Sequence, residues 1–182
     1  MKSKVINFIS GAGAGKSLMS AMTFAELKIL HFKAEYVQEY AKTLVWQKRF
    51  DELDNQYHVS MEQYKMIKAV DSAVDYIICD SGLLIGVFYN RYSKTNVSNV
   101  QRTENVILNK MKEFDNIYIF LERNPEFPYE KEGRMQDEDE AKQIDLQFKA
   151  LLHELKLPYK TFLSSKNSIP NIIDYILESN FN

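Results

Sequence analysis

An apolar run, Val5-Ile6-Asn7-Phe8-Ile9, breaks into Ser10-Gly11-Ala12-Gly13-Ala14-Gly15-Lys16-Ser17. Lys16 to Phe32 then carries Leu18, Met22, Leu27 and Leu30 at roughly helical spacing. No other stretch constrains the fold as tightly. Glycines at alternate positions let the backbone curl until successive N–H groups point into one hollow. The helix behind such a loop adds the positive end of its dipole to the same hollow. A strand, a glycine loop closing on lysine and serine, and a helix together make a cradle for phosphate.

The spacing is that of G-x-x-x-x-G-K-[ST], with Ser10 where the first glycine stands; serine is small enough for the tight turn. Ser10, Gly11, Ala12, Gly13, Ala14, Gly15, Lys16 and Ser17 are therefore the expected binding residues for ATP and Mg²⁺. The lysine reaches the β- and γ-phosphates, and the Ser17 hydroxyl ligates the metal.

Four further runs have strand character: Ala34 to Val37, Tyr76 to Cys79, Ile117 to Leu121 and Tyr159 to Leu163. Near-continuous apolar strands separated by helical patterns indicate a parallel sheet covered on both faces, an α/β domain. Ser98 is expected to cap a helix reaching about Glu113. A longer helix is expected from about Asp137 to Leu155, with acidic residues in its first turn and a stripe of Ala141, Ile144, Phe148, Leu151, Leu152 and Leu155. A last helix follows Pro170. Tyr92 to Asn99 and Arg123 to Gln136 read as mobile excursions.

With 182 residues and 45% hydrophobic content, one domain spanning 1–182 is expected. Lysine and arginine total 23 against 25 acidic residues, which lacks the basic excess usual in duplex-binding proteins. One cysteine, Cys79, excludes an internal disulfide and fits a reducing compartment. No segment approaches the roughly 20 apolar residues of a membrane span, and no secretory signal is recognisable. A cytoplasmic protein without membrane contact is the expectation.

Asp80 closes the third strand, so its carboxylate falls at the sheet edge where α/β domains bind ligands. There it serves either Mg²⁺ or as proton acceptor. Glu39, Tyr40 and Lys42 follow the second strand at the same edge and are candidate acceptor contacts. Trp46 stacks on a base or fills the core, the latter being commoner for a lone tryptophan. Arg123 and Arg134 flank a lid of about residues 123–137, from which cations would offset charge on a transferring phosphoryl group. Arg91 is a further substrate-binding candidate beside the other excursion. The acidic run 137–140 reads as a solvated helix start.

Together these motifs resemble the small P-loop kinases that include NadR-type ribosylnicotinamide kinases and related single-domain AAA-like ATPase/kinase proteins. The Ser10–Ser17 loop matches their Walker A element. Glu39-Tyr40-Ala41-Lys42 is similar to their E-Y-[AG]-R segment, with lysine for arginine. Ile78-Cys79-Asp80 matches their strand-ending aspartate, and Leu121 to Pro125 followed by Glu132-Gly133-Arg134 is similar to their lid. The resemblance implies a P-loop NTPase fold with strand order 2-3-1-4-5 and ribosylnicotinamide as acceptor.

The expected activity is ATP-dependent transfer of the γ-phosphoryl group to a nucleoside or nucleotide-like small acceptor, with Lys16, Asp80, Arg123 and Arg134 as catalytic residues. One alternative is a kinase acting on a nucleic-acid 5′ end or modified base, through Arg91, Lys94 and Arg102 with Tyr89 and Tyr92 for stacking. The other is a non-catalytic nucleotide-dependent switch.

Overall fold

A computed structural model describes residues 2–130 and 136–179. Its centre is a five-stranded parallel sheet: β1 (Lys4–Ile9), β2 (Ala34–Val37), β3 (Tyr76–Cys79), β4 (Asp115–Glu122) and β5 (Tyr159–Leu163), in the order β2-β3-β1-β4-β5. Both the strands and the order agree with the expectation from sequence. The helices are α1 (Lys16–Ile29), α2 (Tyr40–Trp46), α3 (Phe50–Leu53), α4 (Gln56–Val70), α5 (Leu83–Tyr92), α6 (Val100–Met111), α7 (Glu138–Glu154) and α8 (Ile169–Glu178).

Side chains alternate across each strand, so the apolar runs feed two cores. Ile6, Phe8, Ile78 and Ile119 face α1 and α8, packing against Met19, Leu27, Ile172 and Ile176. Val5, Ile9, Ile77, Cys79 and Phe120 face the opposite way, toward Ile67 of α4, Phe88 of α5, Ile107 of α6 and Phe148 of α7. The Phe88 and Phe148 rings meet with centroids 4.3 Å apart. Each such side chain contributes about 1.5–3 kcal/mol on leaving water, so covering both faces is what makes the sheet stable. Cys79, the last residue of β3, is fully buried, and burial pushes its thiol pKa up.

Asn7, the one polar residue of β1's apolar run, is kept in the core by its amide, which donates to Val5 O, Asn116 Oδ1 and Ile117 O at 2.9, 3.0 and 3.3 Å. A Cβ on Gly82 would collide with Asn7 Oδ1, so glycine lets the chain turn closely there into α5.

Local signals behave as the physics of helix ends predicts, with one shift. Asp137 caps α7 in a reciprocal box with Glu140, which uses the acidic run as a helix start. The cap of α6 is Asn99, not Ser98; its side chain accepts from Arg102 N–H at 2.9 Å. Ser98 instead donates to Asn96 and Asn90. The 92–99 connection is pinned rather than loose. Asn96 Nδ2 donates to Asn90 O at 2.8 Å, Val97 N–H donates to Asp54 O at 2.9 Å, and Thr95 bonds Asp54. Among the described residues, no helix is long and apolar enough to cross a membrane.

Candidate active site

The loops that follow the C-terminal ends of β1 to β4 line one cavity of about 1450 Å³. The β1 loop turns on Gly13 and Gly15, with φ of 75° and 92°, and Gly15 leads directly into α1. These are left-handed values that an L side chain tolerates poorly. Space is also short: a Cβ on Gly15 would strike Ser164 Oγ, and one on Gly13 would lie 2.5 Å from the Tyr129 ring.

Lys16 curls back over this loop, its ammonium donating to Ser10 O and Gly11 O at 2.8 and 3.0 Å. Burial pulls its pKa down, while the charges of Glu39, Asp80 and Asp145 push the other way. Ser17 Oγ–H donates to Asp80 Oδ2 at 2.6 Å, and Lys42 Nζ donates to Ser17 Oγ at 3.0 Å. Asp80 is only 3% exposed, and its Oδ1 has no hydrogen-bond partner. A buried carboxylate oxygen without a donor is costly, and a cation beside it would relieve that cost. Ser17 and Asp80 therefore form a donor set that fits Mg²⁺.

Glu39 sits at the N-cap of α2 and accepts from Ser81 Oγ–H at 3.0 Å. Burial raises its pKa, the Lys16 charge opposes the shift, and Asp80 adds to it. Tyr40 gives its backbone N–H to Gln63 Oε1 at 2.8 Å. From here the cavity continues between α2–α3 and α5, walled by Trp46, Phe50, Val59, Phe88, Tyr89 and Tyr92. Trp46 is 63% exposed on that rim, so it is not a core residue. A tryptophan on the rim of a cleft was indistinguishable in sequence from one that fills a core.

Arg123, just past β4, reaches the phosphate loop. Its Nε donates to Asp145 Oδ2 at 2.5 Å, and its Nη2 donates to Ala141 O at 3.1 Å. Arg91 does not join the site. It is held by Glu104 at 2.6 Å and Glu154 at 2.9 Å, tying α5 to α6 and α7 away from the cavity wall. Arg91, expected as a substrate contact, is thus held by two glutamates distant in sequence and is not among the residues that line the cavity. Arg134, with Glu132 and Gly133, lies outside the described residues, as does part of the segment read as a lid.

Sequence reasoning missed Asp145, which accepts from Gly11 N–H at 2.6 Å. Its only signal was an acidic side chain four residues after Ala141, at the margin of the α7 apolar stripe. It also missed Tyr129 against Gly13, for which the sequence carried no signal.

This sheet order and this glycine loop, with a serine–aspartate pair across β1 and β3, define a P-loop nucleotide-binding domain. The AAA_28 family, an AAA domain, matches residues 5–167, and the chain belongs to that family. None of the curated proteins matches the sequence significantly. Among solved structures, a NadR protein in complex with NR superposes with a TM-score of 0.69 at 16% identity, over 95% of this chain and 51% of that one. A deoxyadenosine kinase from M. mycoides gives 0.62 at 19% identity, over 96% and 99%. The YorR protein from Bacillus subtilis, in complex with phosphorylated GDP, gives 0.59 at 14% identity, over 99% of both. This chain spans about half the length of the NadR chains. At such identities the likeness establishes the shared fold alone.

Proposed function

We propose that the chain is an ATP-dependent phosphotransferase that moves the γ-phosphoryl group to a hydroxyl of a nucleoside or nucleotide-like small acceptor. One observation carries this reading: the Ser17–Asp80 pair and Glu39 meet where the phosphate loop opens into the aromatic arm of the same cavity. A phosphate cradle and an aromatic-walled arm therefore share one junction, and the transfer would occur there. Ribosylnicotinamide remains one acceptor to test, by the fold shared with NadR.

The roles follow from chemistry. The Gly13 to Ser17 N–H groups and Lys16 bind the β- and γ-phosphates. Ser17 and Asp80 would hold Mg²⁺, which would supply positive charge to offset that of the phosphates. With Asp80 committed to the metal, Glu39 is the proton acceptor for the attacking hydroxyl; its raised pKa strengthens it as a base. Trp46, Tyr89 and Tyr92 offer faces on which a planar base stacks. Arg123 supplies a guanidinium beside the loop, and Arg134 is the proposed second cation, carried by a lid over about residues 123–137. The polynucleotide alternative is weakened because Arg91 and exposed Arg102 do not line the cavity with Lys94.

The test is ADP release from Mg·ATP against nucleosides (ribosylnicotinamide included), mononucleotides and short oligonucleotides. Stimulation by one small acceptor supports the reading. Stimulation by oligonucleotides alone moves the activity to nucleic acid, and tight ATP binding without any stimulation leaves a nucleotide switch.

Glu39→Gln provides a sharper check. Loss of the base is expected to lower kcat about 10²-fold and to remove the acidic limb of its pH profile. Stability is expected to move the opposite way. A carboxyl whose folded pKa is raised favours folding at low pH and loses that contribution as pH rises through the shifted value. At pH 8 the variant should therefore melt about 2–4 °C higher than the parent, a difference that closes on acidification. A parent-like pH profile would remove Glu39 from the role of base.

A further inference from the structure

We propose that Asp145 is a positioning residue for phosphoryl transfer, fixing the Arg123 guanidinium and the Gly11 peptide so that the Nη1 edge of the guanidinium faces the phosphate loop. The inference rests on the phosphotransferase reading and on Arg123 acting there.

Asp145 lies on α7 four residues after Ala141, which is fully buried. Its side chain is 16% exposed, and a carboxylate so placed needs donors to offset lost hydration. It finds them on two other elements. Oδ1 accepts from Gly11 N–H at 2.6 Å and from Arg123 Nη2 at 3.3 Å, and Oδ2 accepts from Arg123 Nε at 2.5 Å. Arg123 Nη2 also donates to Ala141 O at 3.1 Å. One carboxylate thus fastens α7, the end of β4 and the start of the phosphate loop.

The consequence lies in the shape of the guanidinium. It is a rigid planar fork, so anchoring the Nε and Nη2 side determines where Nη1 points. Among the described residues no acceptor meets Nη1, and it stands 3.5 Å from where a Cβ on Gly13 would be. That is the turn of the loop whose N–H groups face phosphate. A donor already aimed there needs no reorganisation when negative charge develops on the transferring group. Asp145 also offsets the net charge of Arg123, so its contribution is direction more than field.

Asparagine at 145 separates these roles. Its amide oxygen still accepts from Gly11, but its NH₂ group cannot accept from Arg123 Nε. The experiment compares the parent, Arg123→Ala, Asp145→Asn and the double variant, with Asp145→Glu as the conservative control. Asp145→Asn is expected to lower kcat about 30-fold while KM for ATP stays within about threefold, the mark of an interaction made in the transition state. The double variant should be no slower than Arg123→Ala, and Asp145→Glu should recover part of the loss.

Three results would overturn the assignment: kcat within twofold of the parent, multiplying effects in the double variant, or joint loss of kcat, ADP affinity and melting temperature. If the parent transfers phosphate to no acceptor, the phosphotransferase reading falls by itself. The same proteins then decide the Asp145 inference by the ratio of ADP to ATP dissociation constants. Equal collapse of that ratio in both single variants, with no further loss in the double, supports it; an unchanged ratio in Asp145→Asn sinks it.

Discussion

Lys16→Ala is expected to reduce ATP turnover by about 10³-fold or more, with secondary structure intact by circular dichroism. The Lys16 ammonium is buried against two carbonyls of its own loop, and burial holds its pKa below the ordinary lysine value. Carbonyl dipoles and the more distant Glu39, Asp80 and Asp145 compensate only part of the lost hydration. The β- and γ-phosphates would supply the missing counter-charge, so the interaction strengthens where negative charge grows. Removing the ammonium should cost the ligand-free fold little, because a charge held at a depressed pKa is itself a cost to stability. The variant should therefore melt no lower than the parent, yet lose the thermal upshift that Mg·ATP gives the parent. Retained turnover would mean that the glycine loop is not the phosphate site.

Asp80→Asn is expected to lower kcat about 10²- to 10³-fold and to raise the magnesium concentration for half-maximal rate about tenfold. Asp80 Oδ2 is satisfied by Ser17, but Oδ1 has no partner in a position 3% exposed. Asparagine keeps the volume and an acceptor for Ser17 while removing the charge that draws a divalent cation. The check is a magnesium titration of turnover beside melting curves taken with and without a chelator. If the half-maximal magnesium concentration stays at the parent value while kcat falls, Asp80 is the proton acceptor and the role assigned to Glu39 fails.

The inner strands were legible because burial on both faces leaves few polar positions in them, whereas the edge strands β2 and β5 keep Glu35, Lys160 and Thr161 exposed. The phosphate loop was legible because its chemistry fixes residue types at fixed spacing. The α2 to α4 region was not delineated: α4 turns Gln56, Ser60 and Gln63 to the cavity, which breaks its apolar stripe. Arg91 and Asp145 illustrate a second limit. Each is an ordinary charged residue on a helix, and its partners lie 13 to 134 residues away. Only the packing of α7 on β4 and of α5 on α6 brings Arg91 to Glu104 and Asp145 to the glycine loop. Ser98 and Asn99 are adjacent residues of equal capping chemistry, so the choice between them was local geometry alone.

The thiol of Cys79 has one more consequence. It is the only cysteine, fully buried, and immediately precedes Asp80 in β3. A maleimide or disulfide reagent can reach it only when the middle of the sheet opens, so its labelling rate counts those openings. Any ligand that binds between the glycine loop and Asp80 should slow labelling in proportion to its occupancy. The protein thereby carries its own binding sensor, usable with unmodified acceptors before any turnover has been found.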